Sequence, residues 1–399
     1  MKQVFLILFF LFGLSFSQKA FAQQPLPKYD SVDMLITDLR VQLECTEAID
    51  QLYNFKFAES ESLFRYIKRH YPRHPIGYFL LGLSYWWRIA PNVENRKYDK
   101  QLKSYMDSCI TFADDIYDDY KGKKRIEAAF FLTAAHGFLG RLYAERNEWA
   151  TAAWHGKKAV KYMEIAHGNG DLSPEMLFGD GLYNYYSIWI PENHKYLKPV
   201  LWFFKKGDKA LGIKQLEDVV KNAFYTRVEA QFFLMNIAED EKKYDKALYH
   251  AEYLHKQFPN NALFHRYYLR MLYMNNEIAI LYKEALDVLT RLENKQVGYE
   301  ENTGRYAAFY AGYIAKFYMK DKDNAKKYLL KSIEFAKKAN FMSMGYSIFA
   351  LSYLAEIADS EKNIPLAKSY YEQVIEHAEK KNPHYETAKK YLKKHKKVK

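Results

Sequence analysis

Apolar residues recur along most of this 399-residue chain at the three- and four-residue spacing of amphipathic helices, and small residues return among them at regular intervals. One copy of the pattern combines Leu139 and Gly140 with Ala152, and another combines Ala238 with Ala247. A small side chain lets two helices cross closely, while larger neighbours fill the space beside the crossing. The pattern therefore predicts stacked antiparallel helix pairs and an all-α fold.

The small residues expected in the second helix of each pair define eight units. They are Ser60, Gln101, Ala152, Gly212, Ala247, Ala285, Ala325 and Ala367. Successive positions lie 35 to 42 residues apart from Gly212 onward and 41 to 60 residues apart before it. The second half of the chain is therefore nearly regular, and the first half carries longer connections. Two aromatic insertions are expected, near 86–97 and at 187–207.

These residues resemble the tetratricopeptide-repeat (TPR) superfamily over most of 40–388. The segments 178–186, 198–204, 207–212 and 226–230 look like a group of exported bacterial TPR proteins whose activity is unassigned. The resemblance implies a TPR-like α-solenoid, in which about eight helix pairs form a right-handed superhelix. It also implies a non-catalytic scaffold or adaptor that binds a protein or peptide partner in its concave groove.

The first 22 residues predict a secretory signal peptide. Lys2 precedes an apolar run at 4–16, and Ala20 and Ala22 form a small-residue cleavage site. A membrane anchor is the alternative, but the run is short for a bilayer span. Residues 23–39 are then a lead segment to the repeat domain at 40–388. Export would place the protein, and its partner, in the periplasm or elsewhere in the cell envelope.

Composition and charge narrow the class of partner. Hydrophobic residues make up 49% of the chain and charged residues 27%, as in folded proteins, so a disordered chain is not expected. The formal net charge is +12, but two lysines of the signal segment and seven of the basic tail at 389–399 leave 23–388 with only +3. A net charge this close to zero over 23–388 argues against nucleic-acid binding. The positive charges of the tail would stabilise the C-terminus of a helix by interacting with its dipole. Alternatively, the tail would make a weak contact with an anionic membrane.

No spacing in the sequence predicts catalysis, a metal site or a cofactor. His250 and His255 are five residues apart, whereas zinc-protease helices place two histidines four apart with a glutamate after the first. The chain also lacks a glycine-rich phosphate loop and a serine elbow. Cys45 and Cys109 leave two interpretations open, which are a disulfide in an exported protein and two small buried residues.

The predicted partner-binding residues are those that the TPR pattern directs into the concave groove. They are Phe79, Trp86, Arg141, Phe232, Asn236, Arg266, Arg270, Tyr273 and Tyr310. Arg266 and Arg270 share one helix face and could bind a carboxylate or phosphate, or could instead pair with acids of the protein itself. Phe232 stands where TPR carboxylate clamps carry a lysine beside Asn236. An aromatic groove with arginines suits an extended or helical peptide better.

A second hypothesis concerns the aromatic residues of the 187–207 insertion. Trp189 and Trp202 belong to a segment that is too aromatic for a plain linker, so it either caps the stack or lines a pocket. In the second case the protein would bind a small molecule or a glycan.

Overall fold

A computed structural model describes residues 28–195 and 206–396, so the predicted signal peptide lies outside the described residues. Within these ranges the fold is all-α, as expected. Two short 3₁₀ helices, Tyr29–Ser31 and Leu35–Thr37, precede seventeen α-helices. These are α1 (Leu39–Tyr53), α2 (Phe57–His70), α3 (Pro75–Ile89), α4 (Asp99–Asp119), α5 (Gly122–Glu145), α6 (Trp149–Ala166), α7 (Met176–Asn193), α8 (Lys209–Asn222), α9 (Arg227–Asp240), α10 (Tyr244–Gln257), α11 (Ala262–Met274), α12 (Ile278–Glu293), α13 (Glu301–Ile314), α14 (Lys322–Lys338), α15 (Gly345–Ser360), α16 (Ile364–His377) and α17 (Pro383–Lys394).

Helices α1 to α16 form eight consecutive antiparallel pairs, and α17 packs on the last of them. All eight predicted small residues lie in the second helix of a pair. Ser60, Ala247 and the later alanines of the set are fully buried. Gln101 is exposed instead, and Leu102 beside it is buried, so the weakest match of the pattern is one residue out of register. The number and order of the pairs are therefore those that the sequence predicts.

The crossing of α7 and α8 shows why the pattern needs small residues. Gly181 and Gly212 face each other across the two helices. A methyl group added at Gly212 would lie 2.7 Å from the Gly181 carbonyl oxygen and 2.8 Å from the Tyr185 nitrogen. Both neighbours are backbone atoms, so neither can move aside as a flexible side chain could.

The turn inside most pairs has one recurring conformation. A non-glycine residue with a left-handed φ of 57° to 60° ends the first helix in six pairs, at Phe55, Asn147, Lys242, Asn276, Lys320 and Lys362. An L-residue loses about 1–2 kcal/mol in this conformation relative to the right-handed region. Asparagine tolerates it best, and glycine, its usual signal in sequence, occurs at none of these six turns.

The first two helix pairs contact the fifth pair as well as their neighbours in the stack. Tyr53 at the end of α1 and Trp87 of α3 both donate hydrogen bonds to Glu229 of α9. Trp87 also lies edge-on to Phe232 of α9, with ring centroids 6.4 Å apart. The chain therefore folds back on itself, whereas in a simple solenoid each repeat touches only adjacent repeats.

We call this folding back of the first two helix pairs onto later pairs the closure of the solenoid. Two further pairs take part in it. The Asn261 amide, at the start of α11, donates to the Tyr53 carbonyl at 2.9 Å. The carbonyl of Pro91, just beyond α3, accepts from Arg266 of α11 at 2.7 Å and from Asn302 of α13 at 3.1 Å. Helices α9, α11 and α13 are each the first of their pair, the set that lines the concave side of a TPR stack. The N-terminal pairs cover part of that side.

Three boundaries differ from the sequence prediction or refine it. The lead segment joins the core, because Leu35 and Ile36 are buried and the Ile36 amide donates to Glu127 at 2.7 Å. Helix α7 continues to Asn193 within the 187–207 insertion, and 196–205 lie outside the described residues. Helix α17 runs through Lys394, so the basic tail begins inside a helix.

Two more observations bear on the sequence predictions. Cys45 and Cys109 are both fully buried and unpaired, in agreement with the interpretation as small buried residues. Across 28–195 and 206–396, none of the helices combines the length and the apolar character that crossing a membrane requires.

We expect Gly212→Ala to lower the free energy of unfolding by about 1–3 kcal/mol, because the added methyl overpacks a backbone-to-backbone crossing. Urea unfolding followed by circular dichroism measures the change. The matched control is Gly156→Ala on the exposed face of α6, where an added methyl meets no heavy atom within 4 Å. That variant should be neutral, or more stable by up to about 1 kcal/mol. Equal stabilities for the two variants would contradict the crossing.

Candidate binding site

A largely apolar cavity of about 310 Å³ opens between α3, α5, α6, α7 and α9. Its walls carry aromatic and aliphatic side chains from all five helices. They include Phe79, Leu83, Phe138, Met163, Phe178 and Phe233. Cavities of this size and character are typical of sites that enclose an apolar ligand or side chain.

The cavity exists because α7 packs on α8, meets α9 through ring contacts such as that of Phe178 with Phe233 at a centroid distance of 5.9 Å, and has few contacts with α6, its predecessor in the chain. The buried carboxylate of Glu175, just before α7, accepts hydrogen bonds from the backbone amides of Phe224, Tyr225 and Thr226 at 2.6 to 3.0 Å. It also accepts from the Thr226 hydroxyl at 2.6 Å. Glu175 therefore anchors the turn that leads into α9 and ties the start of α7 to the start of α9.

One contact bridges the gap between α6 and α7. His167, after α6, lies 2.7 Å from the carboxylate of Asp180 on α7, and the Gly168 amide donates to the same carboxylate at 3.3 Å. Asp180 is buried in the cavity wall. This contact closes one edge of the cavity and leaves the apolar space behind it open.

The polar end of the cavity is formed by Glu229 and Arg141. Glu229 lies in the wall, and its Oε1 accepts from the Tyr53 hydroxyl and from the Trp87 indole, both at 3.1 Å. Burial raises the pKa of Glu229, and the positive charge of Arg141 opposes that rise. The Arg141 guanidinium lies 4.5 Å from the centre of the Trp86 ring, at cation–π distance. Arg141 is exposed and makes no salt bridge with any residue of the described ranges.

Gly137 marks the mouth of the cavity. It lies one helical turn before Arg141 on α5, is exposed, and lines the cavity. A side chain added at Gly137 would start in open space, with no heavy atom within 4 Å of its Cβ. The mouth is therefore flanked by an arginine that can bind an anionic group and by a glycine that leaves the entrance clear.

A second, polar depression lies on α9, α11 and α13 and is lined by Glu239, Asp240, Arg266, Tyr267, Arg270 and Tyr306. Both arginines predicted to bind a partner are found here. Arg270 donates to Glu239 at 2.5 Å, and Arg266 donates to the Pro91 carbonyl. The alternative that the arginines pair within the protein is thus observed directly for Arg270.

The other predicted groove residues separate into buried and accessible ones. Trp86, Phe232 and Tyr310 are buried, and the Tyr310 hydroxyl donates to that of Tyr346 at 3.0 Å. Tyr273 is half-buried against Tyr310, with ring centroids 5.1 Å apart. The Asn236 amide is engaged with the Phe232 carbonyl of its own helix at 2.8 Å. Phe79 and Arg141 are the predicted residues that line the cavity.

The second hypothesis predicted an aromatic pocket near Trp189 and Trp202, but the cavity lies elsewhere. Trp189 packs edge-on against Tyr186 and His194, at centroid distances of 5.8 and 5.6 Å, and does not line the cavity. Trp202 lies outside the described residues. The sequence pattern did not predict a role for Glu229 or Gly137, although a charged residue or a glycine within an otherwise apolar helix was the available signal for each.

Comparisons with known proteins were made on the sequence and on the structure. No family profile and no curated protein matches the chain. Among solved structures, the human IFIT1 dimer with PPP-AAAA is 14% identical, with 80% of this chain and 68% of that chain covered at a TM-score of 0.42. The P58(IPK) TPR domain is 13% identical, with 89% and 98% covered at a TM-score of 0.25. The eight helix pairs decide the fold. The chain is a TPR-like α-solenoid.

We expect Glu229→Ala to cost about 2–4 kcal/mol of stability, because it leaves the Tyr53 hydroxyl and the Trp87 indole buried without an acceptor. Glu229→Gln keeps an oxygen for both donors and should cost less than about 1 kcal/mol. Chemical unfolding of the two variants measures the difference. If the alanine variant is as stable as the glutamine variant, the hydrogen bonds to Glu229 do not hold the N-terminal pairs in place.

Proposed function

We propose that this TPR-like chain is a non-catalytic, exported scaffold that binds a segment of a protein partner in the cell envelope. The observation that carries the proposal is the preformed apolar cavity that opens beside exposed Arg141. Repeat solenoids commonly present extended binding surfaces built from successive units. Here the apolar opening of that surface is the cavity mouth, and the N-terminal pairs cover part of the concave side at α9, α11 and α13.

The binding mode follows from the chemistry of the cavity. An apolar side chain of the partner enters between α3, α5 and α7, and an acidic group beside it pairs with Arg141. Full burial of one large apolar side chain contributes about 1.5–3 kcal/mol. Arginine binds a carboxylate with two parallel hydrogen bonds, so it also fixes the direction of the segment. Since the cavity is already open, little ordering of the protein opposes binding.

The cellular setting is part of the same proposal. The predicted signal peptide at 1–22 supports export, and hence a periplasmic or envelope location. Exposed lysines of α17, including Lys389, Lys390, Lys393 and Lys394, give the last helix a basic face. Such a face favours a weak contact with an anionic membrane surface, worth about 1 kcal/mol per lysine close to the lipid.

A second candidate function is binding of a small carboxylate-bearing amphiphile. The enclosed shape of the cavity and its nearly complete apolar lining favour it, with Arg141 as the partner of the carboxylate. This candidate retains the hypothesis of a small-molecule site, but it places the site in the cavity and not near Trp189.

Blocking the cavity tests both functions. We expect Gly137→Phe to fold with unchanged or greater stability, because its ring enters open space, and to abolish capture of envelope proteins by the tagged chain. Arg141→Gln should weaken capture about tenfold or more, the loss of one charged hydrogen-bonding group. Capture is measured after chemical cross-linking in an envelope fraction, with the bound segment mapped by mass spectrometry.

Gly156→Phe is the matched control, since Gly156 does not line the cavity and an added Cβ there meets no heavy atom within 4 Å. It should capture the same partner as the unmodified chain. Equal capture by the Gly137→Phe variant would rule out the cavity as the partner site. Binding of a dansyl-labelled undecanoic acid that Gly137→Phe abolishes, without any captured protein, would decide for the small amphiphile.

A further inference from the structure

Three consecutive helices bring together two histidines and a glutamate on the side of the solenoid formed by the fifth and sixth pairs. His255 is on α10, His265 on α11 and Glu284 on α12. One potential ligand atom of each lies within 4.8 Å of the other two. Glu284 Oε2 is 3.1 Å from His265 Nε2 and 3.5 Å from His255 Nε2. We propose that His255, His265 and Glu284 bind one Zn²⁺ ion and so tie the three helices together.

The distances between the ligand atoms fit a tetrahedral ion. With metal–ligand bonds of about 2.0–2.2 Å, the edges of a tetrahedral site are roughly 3.3–3.6 Å long. The two edges that meet at Glu284 are within a few tenths of an ångström of this range. The third edge, between the histidines, is at most 4.8 Å long, so an inward movement of His255 would bring it into this range. His255 lies on the more accessible side of the group, with 13% of its side chain exposed.

The contacts of His265 are typical of a metal-bound histidine. Its side chain is fully buried, and its Nδ1 lies 3.0 Å from the Tyr299 hydroxyl, which leaves Nε2 directed at Glu284. A metal-bound histidine almost always has its other ring nitrogen engaged in this way, because the contact fixes the ring orientation and the tautomer.

His255 is less satisfied by protein groups than His265. Its Nδ1 is buried without a hydrogen-bond partner, and its contact to Glu284 is long for a hydrogen bond. The ring is held in place by stacking, with centroids 4.2 Å from His265 and 5.0 Å from Tyr268. A divalent cation between the rings would bind one nitrogen of each imidazole together with the carboxylate.

The chemical types of the three ligands suit a metal as well. Imidazole nitrogen with a single carboxylate favours Zn²⁺ over Mg²⁺ or Ca²⁺, which prefer oxygen ligands.

Calorimetric titration of the metal-free, purified mature chain with Zn²⁺ alone tests the proposal. We expect one ion per chain and a rise in melting temperature on binding, because the ion binds the folded state. Tetrahedral visible absorption with Co²⁺ in place of Zn²⁺ reports the geometry. His255→Gln and Glu284→Gln should each weaken Zn²⁺ binding about 100-fold or more. Tyr299→Phe should weaken it about 10- to 100-fold, because the Tyr299 hydroxyl orients the ring of His265.

The matched control is His250→Gln on the same helix, whose ring contacts Gln231 at 2.9 Å and belongs to no such group. Its Zn²⁺ affinity should equal that of the unmodified chain. Circular dichroism establishes that each variant is folded. Absence of binding to the unmodified chain, or equal binding by the folded Glu284→Gln variant, would overturn the proposal. Either result leaves the cavity and its proposed partner unaffected, because the two sites share no residue.

Discussion

The buried carboxylate of Glu229 is the interaction on which the arrangement of this molecule depends. It accepts hydrogen bonds from α1 and α3 while it stands on α9, and so joins the first two helix pairs to the fifth. Separating a buried acceptor from two buried donors is costly, since each donor would lose the carboxylate that accepts its hydrogen bond. The interaction therefore does more than stabilise one contact. It fixes which surfaces of the later pairs are covered and which remain accessible.

The closure also explains the position of the cavity. Helix α9 must face α1 and α3 to present Glu229, and Glu175 ties α7 to the start of α9. Helix α6 stays on α5, its own partner. The space between these two sets of helices cannot be filled by a regular repeat contact. The partial covering of the concave surface thus follows from the contact at Glu229, and the apolar cavity follows from that contact together with the one at Glu175.

What the sequence could predict was local. The predicted small residues lie in seven of the eight second helices, with Gln101 the exception, because a crossing is encoded within about forty residues of one repeat. Closure was not predictable in this way, since nothing in the periodicity near Phe232 indicates that Trp87 will cover it. The His255–His265–Glu284 group was not predicted from the sequence for a related reason. Spacing rules compare positions on one helix, and these three residues come from three helices.

The closure decides between two ways of binding a partner. To expose the covered concave surface, the protein would have to separate aromatic contacts such as Trp87 with Phe232. One such ring buries about 200 Å², which at about 25 cal/mol per Å² corresponds to roughly 5 kcal/mol. A partner that required this opening would lose more than a thousandfold in apparent affinity, because only the rare open state could bind it. The cavity beside Arg141 needs no such change. This difference in free energy favours the proposed recognition at the cavity over binding in the groove that the repeat pattern alone implies.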